Sequence, residues 1–155
     1  GGLRQGEVRG LEVRDVDFVH DRLLVRRALS ENTEVTPKSG NDRVVPLAAE
    51  LREVLEKVVR SKLPRARVVV FDSGETPSRQ RFLGLFKALL RKHGLKERSF
   101  HSLRHYFCTT LLRRGASIEA VRVRAGHTNQ QVPQRDVHAA AGDLRAAIAM
   151  LGGTR

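Results

Sequence analysis

Sulfur and aromatic side chains are scarce in this chain. Of its 155 residues one is cysteine (Cys108), one methionine, one tyrosine and none tryptophan. A lone cysteine excludes an intrachain disulfide and suits a reducing compartment, so a cytoplasmic protein is expected. Aromatic residues make up only 5% of the chain, and no aromatic RNA-recognition motif is present. That leaves few platforms on which unpaired bases could stack, and argues against an RNA-binding or ribosome-associated protein. No apolar run is long enough to cross a bilayer and no secretory hydrophobic stretch opens the chain, so no membrane partner is expected. The only methionine is Met150. Without an initiator residue, the chain reads as a fragment of a longer protein.

Basic residues, by contrast, are abundant. Lys and Arg number 29 against 17 Asp and Glu, giving a formal net charge of +12 and a pI near 11.2. A field of that sign draws in polyanions, with DNA, RNA and acidic membrane surfaces all admitted by charge alone. The charge is not gathered into an uninterrupted block, so no disordered basic tail is indicated. Hydrophobic residues at 40% and charged residues at 30% describe a globular chain long enough for a real core.

The pattern along the chain predicts one mostly helical α+β domain with a small three-stranded antiparallel sheet. Leu3–Leu11 reads as a helix with Leu3, Val8 and Leu11 inward. Val13–Val25 reads as a hairpin turning at His20–Asp21–Arg22, and Thr36–Asp42 as a turn before the strand Arg43–Leu47. Leu51, Val54, Leu55 and Val58 recur at helical spacing from Ala48 to Ser61. Val68–Phe71 is either a short buried strand or an extended linker. Pro77 is expected in the first turn of a helix ending near His93 and closed by Gly94. Ser99 or Ser102 caps the next helix, which runs to Arg114 with Leu103, Phe107, Leu111 and Leu112 inward. Ser117 caps a shorter helix that stops at Gly126, and a last helix spans about Ala140 to Leu151.

Several of these segments carry chemistry. Metal-free cleavage of a phosphodiester needs guanidinium groups to neutralise the phosphate oxygens, a proton donor for the leaving oxygen, and a nucleophile in line. Arg4 and Glu7 sit in GLRQGE, and Lys38 sits in the turn sequence TPKSGNDRVVPL. His101 and Arg104 are three apart in HSLRH, on neighbouring positions of one helical turn, and His127 follows Gly126. His101 and His105 also have the spacing of a helical metal pair. Ser102 stands where a metalloprotease carries glutamate, and no cysteine pair or acidic cluster offers further ligands. No metal and no cofactor are therefore expected. Nor is there a glycine-rich phosphate loop, a Ser/His/Asp triad or a pair of catalytic carboxylates.

The ordered set Arg4, Lys38, His101, Arg104 and His127 resembles the catalytic domain of the tyrosine recombinases, the phage-integrase family, over nearly the whole chain. The resemblance implies that Arg4, Arg104 and His127 bind the scissile phosphate. It also implies that Lys38 is the general acid and that His101 assists proton transfer, with Glu7 and His105 in support. Double-stranded DNA and other recombinase protomers, as a tetramer on paired sites, are the implied partners. A separate N-terminal DNA-clamping domain is implied too, residues 1–155 forming the single catalytic domain. The family's nucleophilic tyrosine falls in a pattern like RY-x-H; here the residues are Arg135–Asp136–Val137–His138. Asp136 therefore occupies the nucleophile position, and a chain without cleavage activity is expected. A carboxylate is shorter than a phenol and would give a hydrolysis-prone mixed anhydride. The alternative is a non-catalytic DNA-binding module on the same fold. Arg124 and Pro133 also depart from the pattern, and the segment Arg124–Asp136 is expected to be mobile or misplaced. Tyr106, the only tyrosine, is expected to be a partly buried helix residue.

Overall fold

The computed structural model describes residues 2–36 and 42–126. Helix α1 (Gln5–Gly10) opens the fold, followed by a 3-10 turn at Val13–Asp15. Strands β1 (Val16–Asp17), β2 (Arg22–Val25), β3 (Ala28–Ser30), β4 (Thr33–Val35) and β5 (Arg43–Pro46) come next. Helices α2 (Ala49–Val59), α3 (Arg79–Lys92), α4 (Phe100–Arg113) and α5 (Ile118–Ala125) complete the described residues.

The expected three-stranded antiparallel sheet is present in the order β1-β2-β5, with Leu23 opposite both Val16 and Val45. The hairpin turns one residue earlier than His20–Asp21–Arg22, because Arg22 already pairs with Asp17 and Asp21 takes the left-handed turn conformation at φ 49°. A second hairpin, β3-β4, was not expected from the sequence. Its residues Ala28–Ser30 and Thr33–Val35 are largely exposed, so they show no inward-outward alternation to betray a strand. Two glycines bring α1 against it. A Cβ on Gly6 would lie 2.7 Å from the Leu29 carbonyl oxygen, and one on Gly10 would lie 3.1 Å from the Ala28 Cα. Their spacing of four places both on one helix face.

The main core joins sheet and helix through Leu11, Val16, Leu23, Val25, Val45, Leu47, Leu55, Val59 and Val68. On α2 the buried positions are Leu55 and Val59, with Leu51 half-buried, while Val54 and Val58 are exposed. Spacings of three and four both fit a helix, and the sheet accepts only the narrow stripe at 51, 55 and 59. Val68 enters the core on an extended connection rather than a strand, its N–H donating to the Leu11 carbonyl at 2.9 Å. Around Cys108 a smaller cluster packs with Val121 and Ala125, joining α4 to α5.

Helix ends follow capping chemistry. Ser78 caps α3 by accepting from the Arg81 N–H at 3.3 Å, so Pro77 lies just outside the helix rather than in its first turn. Ser99, not Ser102, caps α4, and Ser117 caps α5. Gly94 and Gly126 take left-handed C-terminal conformations at φ 64° and 66°. The expected helix Ala140–Leu151 and the segment Gln130–His138 lie outside the described residues. Within Arg124–Asp136 only the start is described, and the α5 backbone runs helically through Arg124.

Candidate active site

Three of the buried charges among the described residues, Glu7, Arg43 and Arg104, converge where α1, β5, α4 and α5 meet. Glu7 is only 1% exposed and accepts four hydrogen bonds. Two come from Arg4, one from its backbone N–H at 2.7 Å and one from Nη1 at 3.1 Å. The other two come from Arg43, whose Nη1 and Nη2 fork onto both carboxylate oxygens at 2.8 and 2.6 Å. Burial alone would push the Glu7 carboxyl up. The hydrogen bonds from Arg43 and Arg4, with their charges, more than offset this and hold it below the ordinary carboxylate value. Glu7 is therefore an ion at neutral pH, fixed between two guanidiniums.

Arg4 and Arg104 both also reach the C-terminal end of α5. Arg4 Nη2 donates to the Gly126 carbonyl at 2.8 Å, and Arg104 Nη2 donates to the Ala125 carbonyl. Arg104 Nη1 donates to the Gly2 carbonyl at 2.7 Å. The bonds to Gly126 and Ala125 satisfy carbonyls that a helix end leaves without partners, and they set cations at the negative end of the helix dipole. The backbone thus fixes both guanidiniums at one place. Arg104 is 3% exposed, and burial, helped by the charge of Arg4, pushes its guanidinium down to about 10. It keeps its charge at neutral pH. An anion offered to this cluster would recover part of the hydration lost by burial.

Arg4 and Glu7 also line an open cleft of about 430 Å³, together with His101, Arg9, Arg79 and Thr36. His101 is exposed on its wall, and its ring stands edge-on to that of His105, with centroids 4.6 Å apart. The structure therefore gathers Arg4, Glu7 and Arg104 around the end of α5, with His101 across the adjoining cleft. Lys38, His127 and Asp136 lie outside the described residues, although Thr36 and Gly126 bring the chain to within two residues of Lys38 and one of His127. Tyr106 is 70% exposed rather than partly buried, and Leu103 also faces outward, because the inner face of α4 carries Arg104 and Cys108 instead. Ile118 is exposed as well, whereas Val121 is buried. Among the described residues no group of His, Cys, Asp and Glu is arranged to hold a metal ion, and no helix is long and apolar enough to cross a membrane.

Two participants escaped the sequence reading. Arg43 was legible in principle: in Arg43–Pro46 burial alternates, and Arg43 shares the inner face with Val45. Arg9, also 1% exposed, gave no such signal. It ties α1 to the loop before α3 through the Pro77 carbonyl at 2.8 Å, and to the β3-β4 turn through the Glu31 carbonyl at 2.5 Å.

Comparison with known proteins settles the family. Residues 1–142 match the phage integrase family. The chain belongs to that family. Among its curated relatives, tyrosine recombinase XerD of Brucella suis biovar 1 is 32% identical over 146 residues, and tyrosine recombinase XerC of Roseiflexus sp. is 30% identical over 146. Each alignment covers 88% of this chain and 44% of the relative, so the chain spans under half the length of these proteins. The crystal structure of XerA recombinase superposes with a TM-score of 0.76 at 23% identity, covering 99% of this chain and 54% of that one. The Tn1549 transposon integrase, solved with a circular intermediate DNA, superposes with a TM-score of 0.72 at 25% identity, over 83% and 48% of the two chains. The fold is that of the tyrosine recombinase catalytic domain.

Proposed function

We propose that this chain is the DNA-binding catalytic domain of a site-specific tyrosine recombinase, with cleavage disabled by Asp136 at the nucleophile position. The observation that carries the reading is the convergence of Arg4, Glu7 and Arg104 on the end of α5, beside a cleft lined by His101. Two fixed guanidiniums suit the two non-bridging oxygens of a phosphodiester, and a net charge of +12 favours a polyanion. With a tyrosine at position 136, the phenolic oxygen would attack phosphorus in line. The 5′ oxygen would leave with a proton from Lys38, giving a 3′-phosphotyrosine and a free 5′ hydroxyl. Arg4, Arg104 and His127 would hold the charge that develops, and His101 would assist proton transfer. Residues 1–155 form the single catalytic domain in this reading, with a separate domain clamping the DNA and other protomers completing a tetramer on paired sites.

Asp136 also favours a second reading, a module on the same fold kept for occupying DNA without cutting it. Both readings predict binding; only the first predicts that a tyrosine restores chemistry. The test is a fluorescence-anisotropy titration of duplex DNA and of duplex RNA at two salt concentrations, for this chain and for Arg104→Ala. Preference for DNA, steep weakening by salt, and a loss of roughly tenfold or more in the variant are expected. Equal affinity of Arg104→Ala would remove the phosphate pocket from the reading. Asp136→Tyr is then incubated with a nicked duplex. A covalent protein–DNA adduct marks a disabled recombinase, and its absence favours the binding module.

A further inference from the structure

We infer that Arg43 is a positioning residue of the phosphate site: it occupies Glu7, so that Arg4 is oriented by that carboxylate without being neutralised by it. The inference rests on the proposed function and extends it to a residue at the root of β5.

The geometry is a closed ring. Arg4 grips Glu7, Glu7 is gripped on both oxygens by Arg43, and Arg43 packs under Gly126, whose carbonyl accepts from Arg4. The last contact is tight, since a Cβ on Gly126 would lie 3.0 Å from Arg43 Nη1. Three guanidiniums and one carboxylate (Arg4, Arg43, Arg104 and Glu7) give the cluster two net positive charges, an excess over the single negative charge of an incoming phosphodiester. Without Arg43, Glu7 keeps only Arg4 as a partner among the described residues. A buried carboxylate with a single cation draws that cation fully onto itself, and the cluster falls to one net positive charge. The exposures fit this division of labour. The Arg4 side chain is 27% exposed and lines the cleft, whereas that of Arg43 is 7% exposed and turned to the carboxylate. Arg43 is also the first residue of β5, paired with Val25, so the same side chain anchors the strand that follows Lys38 in the sequence.

The test is a cycle of four chains: this one, Arg43→Met, Glu7→Gln and the double variant Arg43→Met/Glu7→Gln. Duplex-DNA affinity is measured by anisotropy at several salt concentrations, beside Arg104→Ala. Arg43→Met should weaken binding roughly tenfold and lower the salt slope by about 1, the signature of one phosphate-facing cation withdrawn. The double variant restores two net positive charges and removes the unbalanced buried carboxylate, so it should recover most of the affinity. A merely structural Arg43 would also be relieved by removing its partner, so the salt slope decides: a structural role lowers stability without withdrawing a phosphate-facing cation and leaves the slope unchanged. Thermal unfolding of each variant identifies any that no longer folds. If Arg43→Met is among them, Arg43→Lys takes its place, keeping the charge but not the fork, with an intermediate loss expected. If Arg104→Ala weakens binding while Arg43→Met does not, or the double variant stays as weak as Arg43→Met, this inference fails and the phosphate pocket stands. If Arg104→Ala binds as well as this chain, the pocket fails and the inference falls with it.

Discussion

Gly126 and Gly94 offer a controlled test of how tightly the site is packed. Both follow a helix, and their φ angles are 66° and 64°, so alanine meets the same backbone penalty at each, about 1–2 kcal/mol. Their surroundings differ. A Cβ on Gly94 has nothing within 4 Å, whereas one on Gly126 would lie 3.0 Å from Arg43 Nη1 and 3.1 Å from its Cδ and Cζ. Arg43 would have to give by a few tenths of an ångström. It holds buried Glu7 through bonds of 2.6 and 2.8 Å, and charged hydrogen bonds of that kind contribute about 1.5–3 kcal/mol each. Distorting both, without breaking them, adds about 1–2 kcal/mol to Gly126→Ala. For a domain of this size 1 kcal/mol lowers Tm by about 2–4 °C. Gly126→Ala should therefore melt roughly 2–8 °C below Gly94→Ala when followed by far-UV circular dichroism in one buffer. In an Arg43→Ala background the two alanine substitutions should cost the same. Equal shifts in the original background would refute the packing argument, because the backbone penalty alone would then account for both.

Two further outcomes follow from the sheet and from Glu7. Val45 is 1% exposed opposite Leu23, so Val45→Ala should cost about 2–3 kcal/mol from two lost methyls and the cavity left behind. Val44→Ala, on the exposed face, should stay within about 0.5 kcal/mol; urea denaturation with unchanged m values ranks them, and the reverse order would mean a register slipped by one. The folded-state pKa of Glu7 lies below the ordinary carboxylate value of 4.5, so its contribution is present above about pH 4.5 and is lost as pH falls through the folded value. The stability gap between this chain and Glu7→Gln should be widest near neutrality and close in acid; a gap independent of pH would argue against an ionised Glu7.

How much of this was legible in the sequence depended on whether a residue's burial followed its chemistry. The three-stranded sheet, the helix order and the Ser117, Gly94 and Gly126 caps follow from local rules that need no tertiary context, whereas the β3-β4 hairpin and the Ser78 cap had no such signal. The other unforeseen parts are charges turned inward. Glu7, Arg9, Glu12, Asp15, Arg43 and Arg104 are all buried, against the ordinary expectation that such residues face water. Each is held by a partner far along the chain: Arg104 by residues 2 and 125, Arg9 by residues 31 and 77, Arg43 by residue 7. Hydrophobic periodicity is blind to these pairs, and it turned α4 toward Leu103 when the helix buries Arg104. The motif resemblance singled out Arg4, Glu7 and Arg104 for that reason, since a spacing kept for chemistry carries tertiary information that periodicity lacks. Arg43 had no such marker, only its place in an alternating strand. A buried charge at a strand root, opposite a motif carboxylate, is thus the place to look for residues that hold a phosphate site in shape without touching the phosphate.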